Sequence, residues 1–157
     1  MGLSPLVLAV GIGIVAGLRS LTAPTAVSWA AHLGWLDLQD TRLGFMGSTL
    51  TVAILSLAAL LEYVADLLPT TPRRTLPGPL VGRIVLGGFS GACLTVSAGQ
   101  SWLMGAVAGA VGGLVGTFGG YEIRKRLVAR LKVKDLFVAI PEDLVAILLA
   151  FLIVARH

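Results

Sequence analysis

The chain has 157 residues, 56% of them hydrophobic and only 13% charged, with a mean hydropathy of +0.92. Soluble domains carry about 25% charged residues, so this composition excludes an ordinary soluble domain and predicts an all-α, polytopic membrane helix bundle forming a single domain over residues 1–157. The net charge of +4 comes from basic residues gathered at the ends of apolar runs, so membrane topology explains it and no nucleic-acid partner is expected.

The first apolar run, from about Leu3 to Leu18, is glycine-rich and lacks a basic segment before it. Arg19 and Pro24 stand where a signal peptide would need small residues for cleavage, so the run reads as a retained span. Apolar character continues to Gly34. One helix of that length would reach about 45 Å, against about 30 Å of hydrocarbon. The sequence therefore predicts a span, a break at Arg19–Pro24, and a short helix over residues 20–34 that is either re-entrant or interfacial. Trp29, His32 and Trp35 suit an interfacial belt. A second run follows from about Gly44 to Leu68, then a Pro-rich linker over Pro69–Pro79. A third run covers about Leu80–Ala98 and a fourth about Trp102–Gly120, with a basic extension over residues 121–135. A fifth covers about Leu136–Val154, with Pro141 in its first third. About five spans result, and no soluble domain is expected after Arg156–His157.

The basic residues give an orientation. Five spans put the N-terminus, the 69–79 linker and the 121–135 extension on one side. The positive-inside rule makes that side the cytoplasm, with the C-terminus outside, in a bacterial inner membrane. Glycine spacing gives a packing expectation. Gly105, Gly109 and Gly113 form one four-spaced row and Gly112, Gly116 and Gly120 another, the pattern that lets helix backbones approach closely in lipid. These rows fit intramolecular packing or a homo-oligomer. A short echo between residues 13–18 and 109–114, each followed by a span bearing an acidic pair, fits an inverted repeat.

Charges inside a bilayer cost about 2.5–3.5 kcal/mol each on insertion scales and are paired or functional by default. Six are candidates for a binding site or ion pathway: Arg19, Glu62, Asp66, Arg83, Glu142 and Asp143. Glu62 and Asp66 share a helix face. By the topology above, five of the six meet near the cytoplasmic ends of their helices, and Arg19 lies toward the outer end of the first span. Four carboxylates around one arginine would demand a further cation or raised carboxyl pKa values, the argument for a cation or proton pathway. A structural alternative pairs Glu62 with Arg83 as a helix lock. Cys93, the single cysteine, excludes an intrachain disulfide. His32 and His157 are too isolated for a metal site, no cofactor is expected, and no C-x-x-C, H-E-x-x-H, P-loop or G-x-S-x-G pattern occurs. Ser90 in G-F-S-G has no histidine partner in view. Arg124, Lys125 and Arg126 would meet anionic lipid headgroups.

Several of these residues sit in recurring patterns: G-L-R-S at 17–20 with Pro24, E-x3-D-x2-P-x2-P-x-R-T over Glu62–Thr75, Arg83 with G-G-F-S-G at 87–91, and P-E-D-L-V-A-I at 141–147. With them the chain resembles a family of small bacterial inner-membrane proteins of unknown function. That resemblance implies a polytopic membrane fold and names no substrate. The order of Gly116–Asp143 is also similar to the tail of membrane cytidylyltransferases, but Leu114, Val115 and Glu142 depart from the metal-binding pattern those enzymes use. The leading expectation is a transporter or channel for a small ion or polar solute. The alternatives are a membrane-embedded enzyme acting on a lipid phosphate or CDP-lipid, and an accessory protein with no ligand.

Overall fold

The computed structural model describes residues 4–19, 21–36, 38, 43–66, 77–131 and 135–155. Among them are six α-helices and no strand: α1 (Pro5–Leu18), α2 (Thr22–His32), α3 (Thr49–Asp66), α4 (Pro77–Ser97), α5 (Trp102–Leu131) and α6 (Asp135–Ala155). A 3-10 turn at Gly44–Gly47 precedes α3. The all-α expectation holds. Of the expected spans, α4 over Leu80–Ser97 and α5 over Trp102–Leu127 are long and apolar enough to cross a membrane, while Pro5–Leu18, Thr49–Val64 and Leu144–Ala155 are shorter apolar helices.

Several expected boundaries shift for local reasons. The break after α1 is short, α1 ending at Leu18 and α2 starting at Thr22. Arg19 is extended (φ −142°, ψ 107°), and its amide still bonds the Val15 carbonyl at 2.7 Å. Pro24 does not break the chain. It is the third residue of α2, where a helical amide has no intrahelical partner to lose. The second run becomes helical only after Ser48, whose Oγ accepts the Thr51 amide at 3.1 Å in the manner of an N-cap. Ser48→Ala should therefore lower the unfolding free energy by about 1 kcal/mol, read as a fall in thermal midpoint in detergent. The Pro-rich linker is shorter than expected because α4 begins at Pro77, and proline is favoured in a first helical turn. Helices α2 and α4 are followed by Gly34 (φ 83°) and Gly99 (φ 77°), in the left-handed region that ends helices.

The scaffold is a three-helix contact of α1, α4 and α5, and the glycine rows make it. A Cβ on Gly13 would fall under 3.0 Å from the Gly109 backbone, one on Gly109 would meet Gly87, and one on Gly116 would meet Ile14. The 105/109/113 row thus faces α4 at Gly91, Gly87 and Arg83, while Gly112 and Gly116 face α1. Both rows are occupied by partners within the chain.

These contacts also set helix direction. Gly13 abuts Gly109 and Gly17 abuts Gly113 and Thr117, so α1 and α5 run parallel. Gly91 abuts Gly105 and Gly87 abuts Gly109, so α4 and α5 run antiparallel. The N-terminal end of α1 consequently lies at the Trp102 end of α5. The basic end of α5 and the start of α4 lie at the opposite end of the bundle. This corrects the expectation that the N-terminus shares a side with the 121–135 extension. That expectation counted the first apolar run, up to the break, as one full crossing.

Helix α2 is not laid on the surface: eight of its eleven residues are buried, against α3, α4, α6 and the 3-10 turn. Helix α3 packs mainly on α2 and turns an apolar stripe outward. Leu50, Ile54, Leu57, Leu60, Leu61 and Val64 are each 56–71% exposed. Outward apolar stripes recur on α5 (Leu103, Val107, Val111, Val115, Phe118) and α6 (Leu144, Leu148, Leu152).

Candidate functional site at the α1–α2 break

Breaking a helix leaves carbonyls at the end of the first half and amides at the start of the second without intrahelical partners. Here charged side chains from two other helices meet them. Arg83 of α4, 6% exposed, donates from Nη1 to the Gly17 carbonyl at 2.6 Å. A cation at the negative end of α1 is the favourable placement for a helix dipole. Glu62 of α3 lies at the start of α2, where the Leu21 amide approaches its Oε1 at a long 3.5 Å. A carboxylate at the positive end of α2 is the complementary placement.

Arg19 occupies the break itself and is fully buried. Its guanidinium carbon stands 5.7 Å from the centre of the Tyr63 ring, within cation–π range. The Tyr63 hydroxyl is hydrogen-bonded to Thr22 Oγ1, and Thr22 is buried. Thr25 Oγ1 donates to the Leu21 carbonyl at 2.6 Å and lies 3.1 Å from the Leu55 carbonyl. One turn further along, Trp29 Nε1 donates to Ser56 Oγ at 3.0 Å. The α2–α3 interface is thus a polar seam inside an apolar protein. On the other side of the break α1 lies directly against α5: Gly17 sits so close to the backbone of Gly113 and Thr117 that no Cβ fits.

Three of the six sequence candidates, Arg19, Glu62 and Arg83, therefore converge on one turn of backbone. Arg19 does not lie toward the opposite end from Glu62 and Arg83, as expected; it joins them, because α1 ends level with the C-terminal end of α3. The side chains of Asp66, Glu142 and Asp143 lie outside the described residues, as does that of Arg124. The α6 backbone at Glu142 can still be placed. Ile153 packs on Gly11. At about 1.5 Å per residue, Glu142 lies about 16 Å from Ile153, and Arg19 about 12 Å from Gly11. Helix α6 therefore carries the second acidic pair to nearly the height of the break. Tyr63 and Thr22 were not singled out by sequence reasoning. Their signal was present in hydroxyls lying beside Glu62 and Arg19 within apolar runs.

Among the described residues, little chemistry lies elsewhere. His32 Nδ1 is 2.9 Å from the Gly47 carbonyl. Ser90 is fully buried, and its Oγ has no hydrogen-bond partner among the described residues. No group of three or more His, Cys, Asp or Glu side chains suited to a metal occurs among the described residues. Compared with family models, curated proteins and solved structures, the chain matches none.

Proposed function

We propose that this is a small integral membrane protein that moves a small ion or polar solute, with the α1–α2 break as its polar site. The observation that carries the reading is the convergence of Arg83 and Glu62 on the non-helical break that holds the buried Arg19. Non-helical backbone at membrane depth is tolerated only inside protein or beside a water-filled cavity. Broken helices whose ends face a ligand are also the common plan of secondary transporters.

Support for the membrane comes from the outward apolar stripes, which a soluble monomer does not display over most of its helices, and from α5. Trp102 and Tyr121, the aromatic residues suited to interfaces, bracket about 28 Å of helix, close to the hydrocarbon thickness. The charged turns begin at Glu122. Lys125 and Arg126 are exposed there, and with Arg124 they are proposed to meet anionic headgroups. The Glu122–Arg126 pair at 3.8 Å is itself exposed, so it contributes at most about 1 kcal/mol. A bacterial inner membrane, a homo-oligomer and the family resemblance belong to the same proposal.

The test is flux into proteoliposomes of protons, potassium and chloride, each assayed singly. Glu62→Gln is expected to abolish whichever flux the unaltered protein supports while leaving the thermal midpoint within a few degrees. Flux of none of the three above that of empty liposomes, or unchanged flux in the variant, would sink the proposal. A second reading is favoured by the caps themselves: Arg83 and Glu62 hold the two helix ends in the manner of a structural brace. On that reading Glu62→Gln lowers stability and leaves any flux intact.

A further inference from the structure

We infer that α1 and α2 form a re-entrant hairpin. Both of its ends lie at one membrane face, opposite the basic end of α5, and its tip, marked by Arg19, lies inside the hydrocarbon. This inference rests on the membrane reading above, and it replaces the first of the five expected crossings.

Depth follows from contacts with α5. Gly13 lies against Gly109, about 10 Å along α5 from Trp102. Pro5 is then level with Trp102, and Leu18 stands about 18 Å from that level, about 10 Å short of Tyr121. Helix α1 therefore enters at the Trp102 face and stops about two-thirds of the way through. Neither half of the hairpin reaches across, since α1 measures about 21 Å and α2 about 16 Å against about 30 Å of hydrocarbon.

The direction of α2 follows from its far end. Gly47 lies against Ala31, and His32 Nδ1 meets the Gly47 carbonyl. Phe45, in the same 3-10 turn, packs on Phe89 with ring centres 6.4 Å apart. Phe89 lies about 9 Å further along α4 than Arg83, toward the Trp102 end. The chain therefore rises in α1, turns at Arg19 and descends in α2. Helix α3 rises again beside α2, so that Tyr63 meets Thr22 and Ser56 meets Trp29.

A turn within hydrocarbon must have its backbone groups met by protein or water. Among the described residues, Arg83 holds the Gly17 carbonyl and the Thr22 amide bonds the Arg19 carbonyl at 3.2 Å, contacts of the kind that requirement demands. Four helices, α3 to α6, remain as crossings. The start of α1 and the end of α6 then share the Trp102 face, and the end of α3, the start of α4 and the basic end of α5 share the other. The positive-inside rule makes the basic face cytoplasmic, so the start of α1 lies outside.

Single-cysteine labelling tests this in the full chain expressed in a bacterial membrane. Native Cys93 is fully buried and stays in place, with the unaltered protein as the blank. Ser4→Cys, Leu33→Cys and Arg126→Cys would be treated with a membrane-impermeant maleimide on intact cells and on inverted vesicles. The hairpin requires Ser4→Cys and Leu33→Cys to label from outside and Arg126→Cys only in inverted vesicles. Labelling of the first two from opposite sides, or of Leu33→Cys from the same side as Arg126→Cys, would overturn it. If Leu33→Cys fails to accumulate, Trp35→Cys, also exposed, takes its place. Carbonate extraction of the same membranes reads the membrane proposal separately: release of the unaltered protein would defeat that proposal whatever the labelling pattern.

Discussion

Replacing Gly109 with alanine is expected to separate the three scaffold helices and to destabilise the protein by about 3 kcal/mol or more, at or above the upper end of ordinary overpacking. The added Cβ would fall under 3.0 Å from the Gly87 backbone. The same residue's carbonyl already fills the space beside Gly13. Backbone atoms have no rotamer to change, so relief requires whole helices to move apart. That movement would also break the contact of α1 with α4 on which the Arg83–Gly17 bond depends. The check is the thermal midpoint in mild detergent, beside Gly119→Ala. Gly119 has open space where a Cβ would go, so that variant should be neutral or gain up to about 1 kcal/mol from helix propensity. Equal midpoints for the two variants would contradict the close three-helix contact.

Arg83→Met should have the next largest effect. It removes a buried, charge-assisted bond of 2.6 Å and leaves the Gly17 carbonyl to find another donor in a setting without bulk water. A stranded buried polar group costs about 1–3 kcal/mol, and losing a cation at a helix C-terminus adds up to about 2 kcal/mol. A loss of about 2–4 kcal/mol is expected in chemical or thermal unfolding. Arg83→Lys keeps the charge but not the planar fork of donors, and should recover part of the loss. A Met variant as stable as the parent would show that α1 ends satisfactorily without Arg83.

The sequence made the scaffold legible because spacing alone carries it. The two glycine rows of α5 are visible as residue positions, and their close contacts follow from the need of helices in lipid for small residues. The candidate charges were legible for a similar reason: Glu62, Arg83 and Arg19 each interrupt an apolar run. Their grouping was only partly legible. Counting spans assigned the first apolar stretch a full crossing and thereby sent Arg19 to the far end. What brings it back is the parallel packing of α1 on α5, a long-range contact with no local signal. Pro24 misled in the same way. Proline disrupts a helix interior but is harmless in a first turn, and which of the two applies depends on where the chain leaves α1. Tyr63 and Thr22 were overlooked because an aromatic hydroxyl and a threonine are unremarkable in sequence; they matter through their contact across α2 and α3.

The central claim is that the turn at Arg19 works as a transport site and is not only held together as one. The most direct measurement is flux through proteoliposomes carrying Arg19→Lys, with unfolding followed on the same sample. Lysine keeps the positive charge and removes the planar group that sits over Tyr63. The prediction is a folded protein, with a midpoint within a few degrees of the parent, whose flux falls by about an order of magnitude, the size of effect expected when roughly 1.4 kcal/mol of a specific interaction is lost. Flux equal to that of the parent in a correctly folded Arg19→Lys protein would contradict the claim and leave the break as a structural brace.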